Sequence, residues 1–417
     1  MCGIAGLIDF SNGSTQNVLK DMTDALEHRG PDDCGYLFKQ YDSAQLGLGH
    51  RRLSILDLSK KGHQPMFFQD LSIIYNGEVY NFEEIRFDLE KFGYKFVSNS
   101  DTEVILKAYH KWGIEMVNRL NGMFAIAIFD SKNNNLTLIR DRAGVKPLFW
   151  HFDNDLFMFA SELESFHKHP SFNKKLNKQG LELFLEYGYI PQPYTIFEKT
   201  HKLEAGCFLR ININNQDVAT EKYWDVIDCY EKPKLKISDK EAEVETERIL
   251  KSAFDYRMIA DVPVGIFLSG GYDSSIVAAM IQSDRTDRVK TFTIGFQEDK
   301  FNESTHAAKV ANFLKTDHTE YYCTQKDALN ILPKLPDIWD EPFADPSVIP
   351  TLVVSQLARK EVTVSLSADG GDEAFGGYSK YIGIEKKLNT ISKVPYSLQP
   401  LTKQILRNNL VHKLADK

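Results

Sequence analysis

The pattern of apolar runs changes near residue 240, and that change constrains the fold more than any other feature of the chain. Before it, short β-branched and aromatic runs double back across Asn/Asp turns. Residues 123–130 pass through 131–135 to 136–140, and 148–152 pass through Asp153-Asn154-Asp155 to 156–159. Short runs joined this way read as antiparallel hairpins. A helical pattern at 101–112, opening Asp-Thr-Glu, interrupts them. Sheet with segregated helices predicts an α+β domain. After the change, a charged amphipathic stretch at 241–259 leads to apolar runs at 264–268, 289–294 and 362–366, with helical patterns at 274–281 and 303–313 between them. That alternation predicts an α/β domain, a mostly parallel, doubly wound sheet. The polar segment 229–239, with one Pro, reads as a linker between domains at 2–228 and 240–417.

Bulk properties narrow the function classes. A chain of 417 residues can bury two cores. A net charge of −8 with no long Lys/Arg run disfavours a nucleic-acid partner. No apolar run reaches the length of a membrane span. The opening Met1 to Ile8 is apolar, yet it lacks a basic flank and meets Asp9 too early for a signal peptide. The 5 cysteines, at 2, 34, 207, 229 and 323, are odd in number and lack metal-ligand spacing. Reduced thiols in the cytoplasm are therefore expected.

Cys2 follows a Met that processing can remove, which would leave a thiol and a free α-amine on one residue. Such a pair joins a nucleophile to its own base. Cys2-Gly3-Ile4-Ala5-Gly6 resembles the opening of class II glutamine amidotransferases, which are N-terminal-nucleophile hydrolases. The resemblance continues in order through His28-Arg29-Gly30-Pro31-Asp32, Gly49-His50-Arg51-Arg52-Leu53-Ser54-Ile55, Gln64-Pro65-Met66, Tyr75-Asn76-Gly77-Glu78-Val79-Tyr80-Asn81, Ser100-Asp101-Thr102-Glu103, Gly122-Met123-Phe124-Ala125 and the run from Arg140 to Leu148. It implies a four-layer αββα sandwich. It also implies roles: Arg52 as clamp for the glutamine α-carboxylate, Asp101 with Glu78 for its α-ammonium, and Asn76 with the Gly77 N–H as the oxyanion hole.

A second signal is Leu268-Ser269-Gly270-Gly271-Tyr272-Asp273-Ser274-Ser275, where an apolar run ends in a tight loop that opens a helix. Exposed amides at a helix start, two glycines and flanking hydroxyls suit a phosphate. The loop has no Lys, so it is no Walker A loop. It resembles the pyrophosphate loop of N-type ATP pyrophosphatases, which cleave ATP between the α and β phosphates, with Asp273 helping to hold Mg²⁺.

Small and acidic residues follow the run at 362–366: Ser367-Ala368-Asp369-Gly370-Gly371-Asp372-Glu373, then Phe375-Gly376-Gly377-Tyr378. The carboxyl end of a buried parallel strand is where a ligand crevice forms. Asp372 can share Mg²⁺ with Asp273, and Asp369 can act as a base toward ammonia. The segment resembles the signature of the asparagine synthetase B family, with Ala368 where that family has Gly. Ile294, in Phe292-Thr293-Ile294-Gly295-Phe296, falls on the strand whose backbone contacts adenine there. Asp340 to Ser347 resembles a family loop near the acceptor.

Together these resemblances imply an asparagine synthase. Glutamine hydrolysis supplies ammonia through an internal tunnel to an acyl-adenylate made from ATP and aspartate. Two other outcomes stay open: a different carboxylate acceptor, such as a uronic acid of a surface polysaccharide, or a glutaminase alone. A homodimer is a common assembly in the family. The resemblance runs from Cys2 to about Tyr381. The family's later Arg-Val-Pro-Phe-Leu-Asp motif and adenylation lysine have no equivalent before Lys417, so a fragment or an incomplete synthetase site is expected.

Overall fold

The computed structural model describes residues 1–296 and 302–384. Residues 385–417 of the second expected domain lie outside the described residues.

Twelve strands precede the change at 240: β1 (Gly3–Asp9), β2 (Asp33–Gln40), β3 (Gln45–Arg52), β4 (Met66–Phe68), β5 (Leu71–Val79), β6 (Gly122–Asp130), β7 (Asn135–Arg140), β8 (Phe149–Asp153), β9 (Leu156–Ala160), β10 (Thr200–Lys202), β11 (Cys207–Asn212) and β12 (Val218–Lys222). They form two six-stranded antiparallel sheets, in the orders β10-β8-β9-β1-β3-β2 and β12-β11-β7-β6-β5-β4. The expected hairpins are β6–β7 and β8–β9.

Side-chain alternation makes the layers. On β6, Ala125, Ala127 and Phe129 face the other sheet. Phe124, Ile126 and Ile128 face the helices α2 (Phe82–Lys91) and α3 (Asp101–Trp112). On β1, Ile4 and Ile8 point between the sheets. Ala5 and Leu7 point to α1 (Gln16–Asp24) and α4 (Glu164–His167), with α5 (Lys178–Tyr187) on the same side. With both faces covered, every residue of β1 is buried. Strict alternation of this kind is the period-two pleat filling two cores at once. The result is an αββα sandwich with the amino terminus in its central strands.

Helices reach both ends of the segment read as a linker, 229–239. Asp225 accepts from Ile227 N at 3.0 Å and starts α6 (Val226–Tyr230). Ser238 and Glu241 close a capping box that starts α7 (Asp239–Arg257). The Ser-x-x-Glu spacing carried that signal.

Beyond α7, β13 (Val264–Phe267), β14 (Lys290–Phe296), β15 (Asp317–Cys323) and β16 (Val364–Leu366) form a parallel sheet in the order β15-β14-β13-β16. Helices α8 (Tyr272–Ser283) and α9 (Ser304–Leu314) cover one face through Val277, Ala278 and Ala307. Helix α12 (Val348–Ala358), after the short α10 (Gln325–Ile331) and α11 (Leu335–Ile338), covers the other through Ala358, beside Phe292. Helices on both faces make the sheet doubly wound. Strand β15 is an addition to the runs read from sequence. It lies at an edge, four of its seven residues are exposed, and no continuous apolar run announces it.

The strand order reverses between β13 and β16, and both motif loops leave the carboxyl ends of these two strands. That is the topological switch point where open α/β sheets bind ligands.

The two halves are joined on both flanks. Asp57 N donates to Asp261 Oδ2 and Asp261 N to Ile55 O, each at 2.9 Å. Opposite, Asp340 accepts from Leu163 N at 2.6 Å and Glu164 N at 3.2 Å, and Glu341 pairs with Lys202 at 2.6 Å. Burial pushes the Asp340 carboxyl up to about 6 despite those two amides. These acidic residues dock the second domain onto the first.

Candidate functional site

Cys2 stands one residue before β1, so the central strand fixes its backbone. Arg29 Nε donates to Cys2 O at 3.0 Å, and Arg29 is held in turn by Glu162 at 2.6 Å, which also pairs with His28 at 2.9 Å. The sulfur accepts from Leu53 N at 3.4 Å. Burial raises the thiol pKa. The Leu53 bond and the Arg52 charge oppose that shift, and Glu78 adds to it. At neutral pH this thiol needs a base.

Asn76 and Gly77 lie on β5 against β6, in unbroken register from Leu71 to Val79. Tyr75 N donates to Gln64 Oε1 at 2.7 Å, and Val79 N to Asp101 Oδ2 at 3.0 Å, so both point away from β6. By the same alternation Gly77 N points that way too, into the space beside Cys2. A Cβ on Gly77 would meet Phe124 Cα at 2.7 Å, so only glycine lets β5 and β6 close here. Both polar atoms of the Asn76 side chain are buried without a partner. A buried, unsatisfied carboxamide is costly unless a ligand completes it.

Asp101 begins α3 and accepts from Tyr75 Oη at 2.8 Å as well as Val79 N. Burial raises its pKa, against those bonds. Burial and then Asp101 push Glu78 well above the ordinary carboxyl range, with Lys146 opposing. Two carboxyl groups destabilised as anions side by side make a site that a cation would relieve.

Arg52 is placed differently from a free clamp. It is 6% exposed, and its guanidinium donates to Ser59 O at 3.0 Å, Leu56 O at 3.2 Å and Asp57 O at 2.6 Å. It holds the 53–62 loop, which carries Leu53 and Ile55 into the site. Arg52 itself is not among the residues lining the cavity.

That cavity, about 740 Å³, is lined by Cys2, Asn76, Gly77, Glu78, Met123 and Lys146 of the first domain and by Arg359 and residues 362–366 of the second. Sequence reasoning missed Lys146, Met123, Arg257 and Arg359. Lys146 and Met123 lie in motifs to which the sequence assigns no role, and Arg257 and Arg359 meet the site only through tertiary packing.

A second cavity, about 1140 Å³, opens at the switch point. Leu268, Ser269, Gly271, Asp273, Ser274, Ile294, Ser367, Ala368, Asp369 and Asp372 line it, as expected sites; Glu303 lines it also. Gly270 and Ser275 lie behind the wall. Gly270 has φ +84, and a Cβ there would meet Ala307 N at 2.6 Å. Ser275 Oγ is buried without a partner. Ser269 Oγ and Ser274 Oγ bond at 2.9 Å and Gly271 N donates to Ser269 Oγ at 3.3 Å, which curls the loop. A Cβ on Gly371 would run into the Asp273 carboxylate, so the two acidic loops touch and bring Asp273 and Asp372 together. Among the described residues no group of three or more His, Cys, Asp or Glu could hold a metal ion. Two carboxylates beside a phosphate loop do fit Mg²⁺ that arrives with a nucleotide, which takes one or two carboxylates and completes its shell with phosphate and water. Phe267 lines both cavities, and α12 forms part of each wall.

An antiparallel αββα sandwich with a cysteine at its amino-terminal strand, joined to a doubly wound sheet with a lysine-free Ser-Gly-Gly-x-Asp loop, defines a glutamine amidotransferase head on an ATP pyrophosphatase-type module. Family models agree: the glutamine amidotransferase domain matches residues 1–224, and asparagine synthase matches residues 245–416. A Methanocaldococcus jannaschii protein with the provisional name asparagine synthetase [glutamine-hydrolyzing] 2 is 41% identical over 96% of this chain and 79% of its own length. Asparagine synthetase [glutamine-hydrolyzing] 1 of Bacillus subtilis is 33% identical over 100% of this chain and 63% of its own. A Mycobacterium tuberculosis relative is 33% identical over 96% and 62%. The chain belongs to the glutamine-hydrolysing asparagine synthetase family, and it spans less than two thirds of the B. subtilis and M. tuberculosis relatives. Among the described residues, no helix is long and apolar enough to cross a membrane.

Proposed function

We propose that this chain transfers glutamine nitrogen to aspartate at the expense of ATP. With Met1 removed, the Cys2 α-amine takes the thiol proton and the sulfur attacks the γ-amide carbon of glutamine. Asn76 and the Gly77 N–H receive the developing oxyanion. Asp101 and Glu78 take the substrate ammonium, and Arg52, through its remaining donors, takes the α-carboxylate. Ammonia leaves, and water cleaves the thioester to glutamate. At the second site, the 269–275 loop holds the pyrophosphate of ATP while the aspartate β-carboxylate displaces it to form an acyl-adenylate. Asp273 and Asp372 would hold Mg²⁺, which supplies charge neutralisation on the phosphates. Asp369 takes a proton from the attacking ammonia, giving asparagine and AMP.

The observation that carries this reading is the first cavity. It joins Cys2 and Asn76 to residues 362–366, whose strand ends in the Asp369 loop.

Pyrophosphate release over a panel of carboxylate acceptors tests the proposal. Aspartate should stimulate it, and uronic acids should not. No signal with aspartate sinks the asparagine reading, and glutamate release with no pyrophosphate under any acceptor leaves a glutaminase. Asp273→Asn should lower aspartate-dependent pyrophosphate release about 10- to 100-fold while leaving glutamate release within about twofold. Equal loss of both activities would contradict separate sites.

A further inference from the structure

Lys146 is a buried ammonium that the chemistry above does not use. Its backbone is strapped from two sides. The Asp141 carboxylate accepts from Ala143 N, Val145 N and Lys146 N at 3.0 to 3.1 Å, and the Arg140 guanidinium donates to Lys146 O at 2.9 Å and Gly144 O at 2.8 Å. This many bonds on one short loop aim one side chain. The side chain is 4% exposed. Among the described residues it makes no ion pair, and the partner of its Nζ is the Met1 sulfur, at 3.1 Å. A thioether is a weak acceptor. An ammonium buried without a carboxylate costs stability, and such groups cluster where function needs them.

The Met1 side chain leaves when the initiator is removed. Lys146 Nζ then faces the vacated space beside the new α-amine. Other charged and titratable groups around that space are Cys2 and Arg29 from the amino-terminal segment, Glu78 from β5, Asp141 from the Lys146 loop and Arg359 at the end of α12. His28 and Arg257 are also on the cavity wall. Burial and Arg29 push the Lys146 pKa down, and Glu78, Cys2 and Asp141 pull it up.

We propose that Lys146 is a positioning residue for the nucleophile: its ammonium stands beside the α-amino group of processed Cys2 and keeps that amine unprotonated, ready to accept the thiol proton. The proposal rests on the reading of Cys2 as the glutaminase nucleophile. The proton passes from sulfur to the amine lone pair as the carbon–sulfur bond forms. It passes on to the departing ammonia as the carbon–nitrogen bond breaks, which restores the neutral amine. A neighbouring cation opposes only the protonated amine, so it favours the base form at rest and the return of the proton to the leaving group. The amino group of Met1, in the same cavity, is already pushed down to about 6. Burial does most of this against the pull of Cys2, and Arg29, Lys146 and Arg359 add to it.

The test is the pH profile of kcat/KM for glutamine hydrolysis, read as glutamate release, on full-length protein whose Cys2 terminus is verified by mass. Lys146→Met should move the acidic limb upward by about half a unit to one unit, a loss of about 3- to 10-fold on that limb with little change on the alkaline side. Lys146→Arg should restore the wild-type limb, which a packing role alone would not do. An unchanged limb in Lys146→Met overturns the proposal. If Lys146→Met fails to fold, Lys146→Gln, which keeps a polar tip without the charge, decides through the same upward shift of the acidic limb, and an unchanged limb there overturns the proposal. Cys2→Ala that still releases glutamate, or Met1 retained on active protein, removes the underlying reading. An unmoved limb beside an inactive Cys2→Ala removes the role of Lys146 alone.

Discussion

Cys2→Ala is expected to abolish glutamate release from glutamine, by about 10⁴-fold or more, while ammonia-supported pyrophosphate release stays within about twofold. A loss of that size is about 5 kcal/mol or more of transition-state stabilisation. It is the amount expected when the atom that forms the covalent bond is deleted. The substitution should leave the fold intact. The sulfur contacts only the Leu53 backbone through hydrogen-bond geometry, and the backbone of residue 2 keeps its bond from Arg29. Deleting one buried sulfur should cost about 1 kcal/mol in the melting transition. Alanine at position 2 still permits removal of the initiator, so the terminus stays comparable. The informative contrast lies between the nitrogen donors. If ammonia-supported turnover disappears together with glutamine-supported turnover in a folded protein, the division of labour between the two cavities is wrong. If glutamate release persists, the nucleophile is elsewhere.

Much of this arrangement was legible before the structure. The β6 run Met123 to Asp130 reads as a strand because both of its faces are apolar and its end is an Asn-rich turn, and the strand does fill two cores. The Ser-Gly-Gly-x-Asp loop reads as an anion site because its glycines, hydroxyls and helix start are local features of the sequence. Other features escaped because nothing local encodes them. Asp340 and Glu341 resembled an acceptor loop. Their partners, the amides of 163 and 164 and the Lys202 ammonium, come from well over a hundred residues away. Arg52 reads as a carboxylate clamp, and nothing local shows that three of its guanidinium bonds also hold carbonyls of the 53–62 loop. The joint cavity is the clearest case. Its far wall is the β16 region and Arg359, and no spacing in the sequence places these beside Cys2.

Asn76→Ala should lower kcat for glutamine hydrolysis about 10²- to 10³-fold with KM changed less than about threefold, and should not destabilise the protein. The two halves of this expectation share one observation: both polar atoms of the Asn76 side chain are buried and unpaired. In the resting protein those atoms have given up water and gained nothing. Replacing them with a methyl group therefore removes a desolvation penalty of about 1–3 kcal/mol and leaves a cavity whose cost is of similar size. The melting temperature should stay level or rise slightly. In the transition state the balance inverts. A negative oxygen forming beside Gly77 N would receive the Asn76 Nδ2 hydrogen as a bond to charge, which is about twice as strong as a neutral one. Alanine cannot supply it, and the ground-state amide oxygen loses much less, so the effect falls on kcat. Asn76→Asp sharpens the comparison. It keeps the shape but presents a carboxylate to the developing charge, beside Glu78 and Asp101, and should be at least as slow as alanine. Were Asn76→Ala to melt several kcal/mol lower with kcat intact, Asn76 would be holding the strand together, and the oxyanion would have to be stabilised by the Gly77 amide alone.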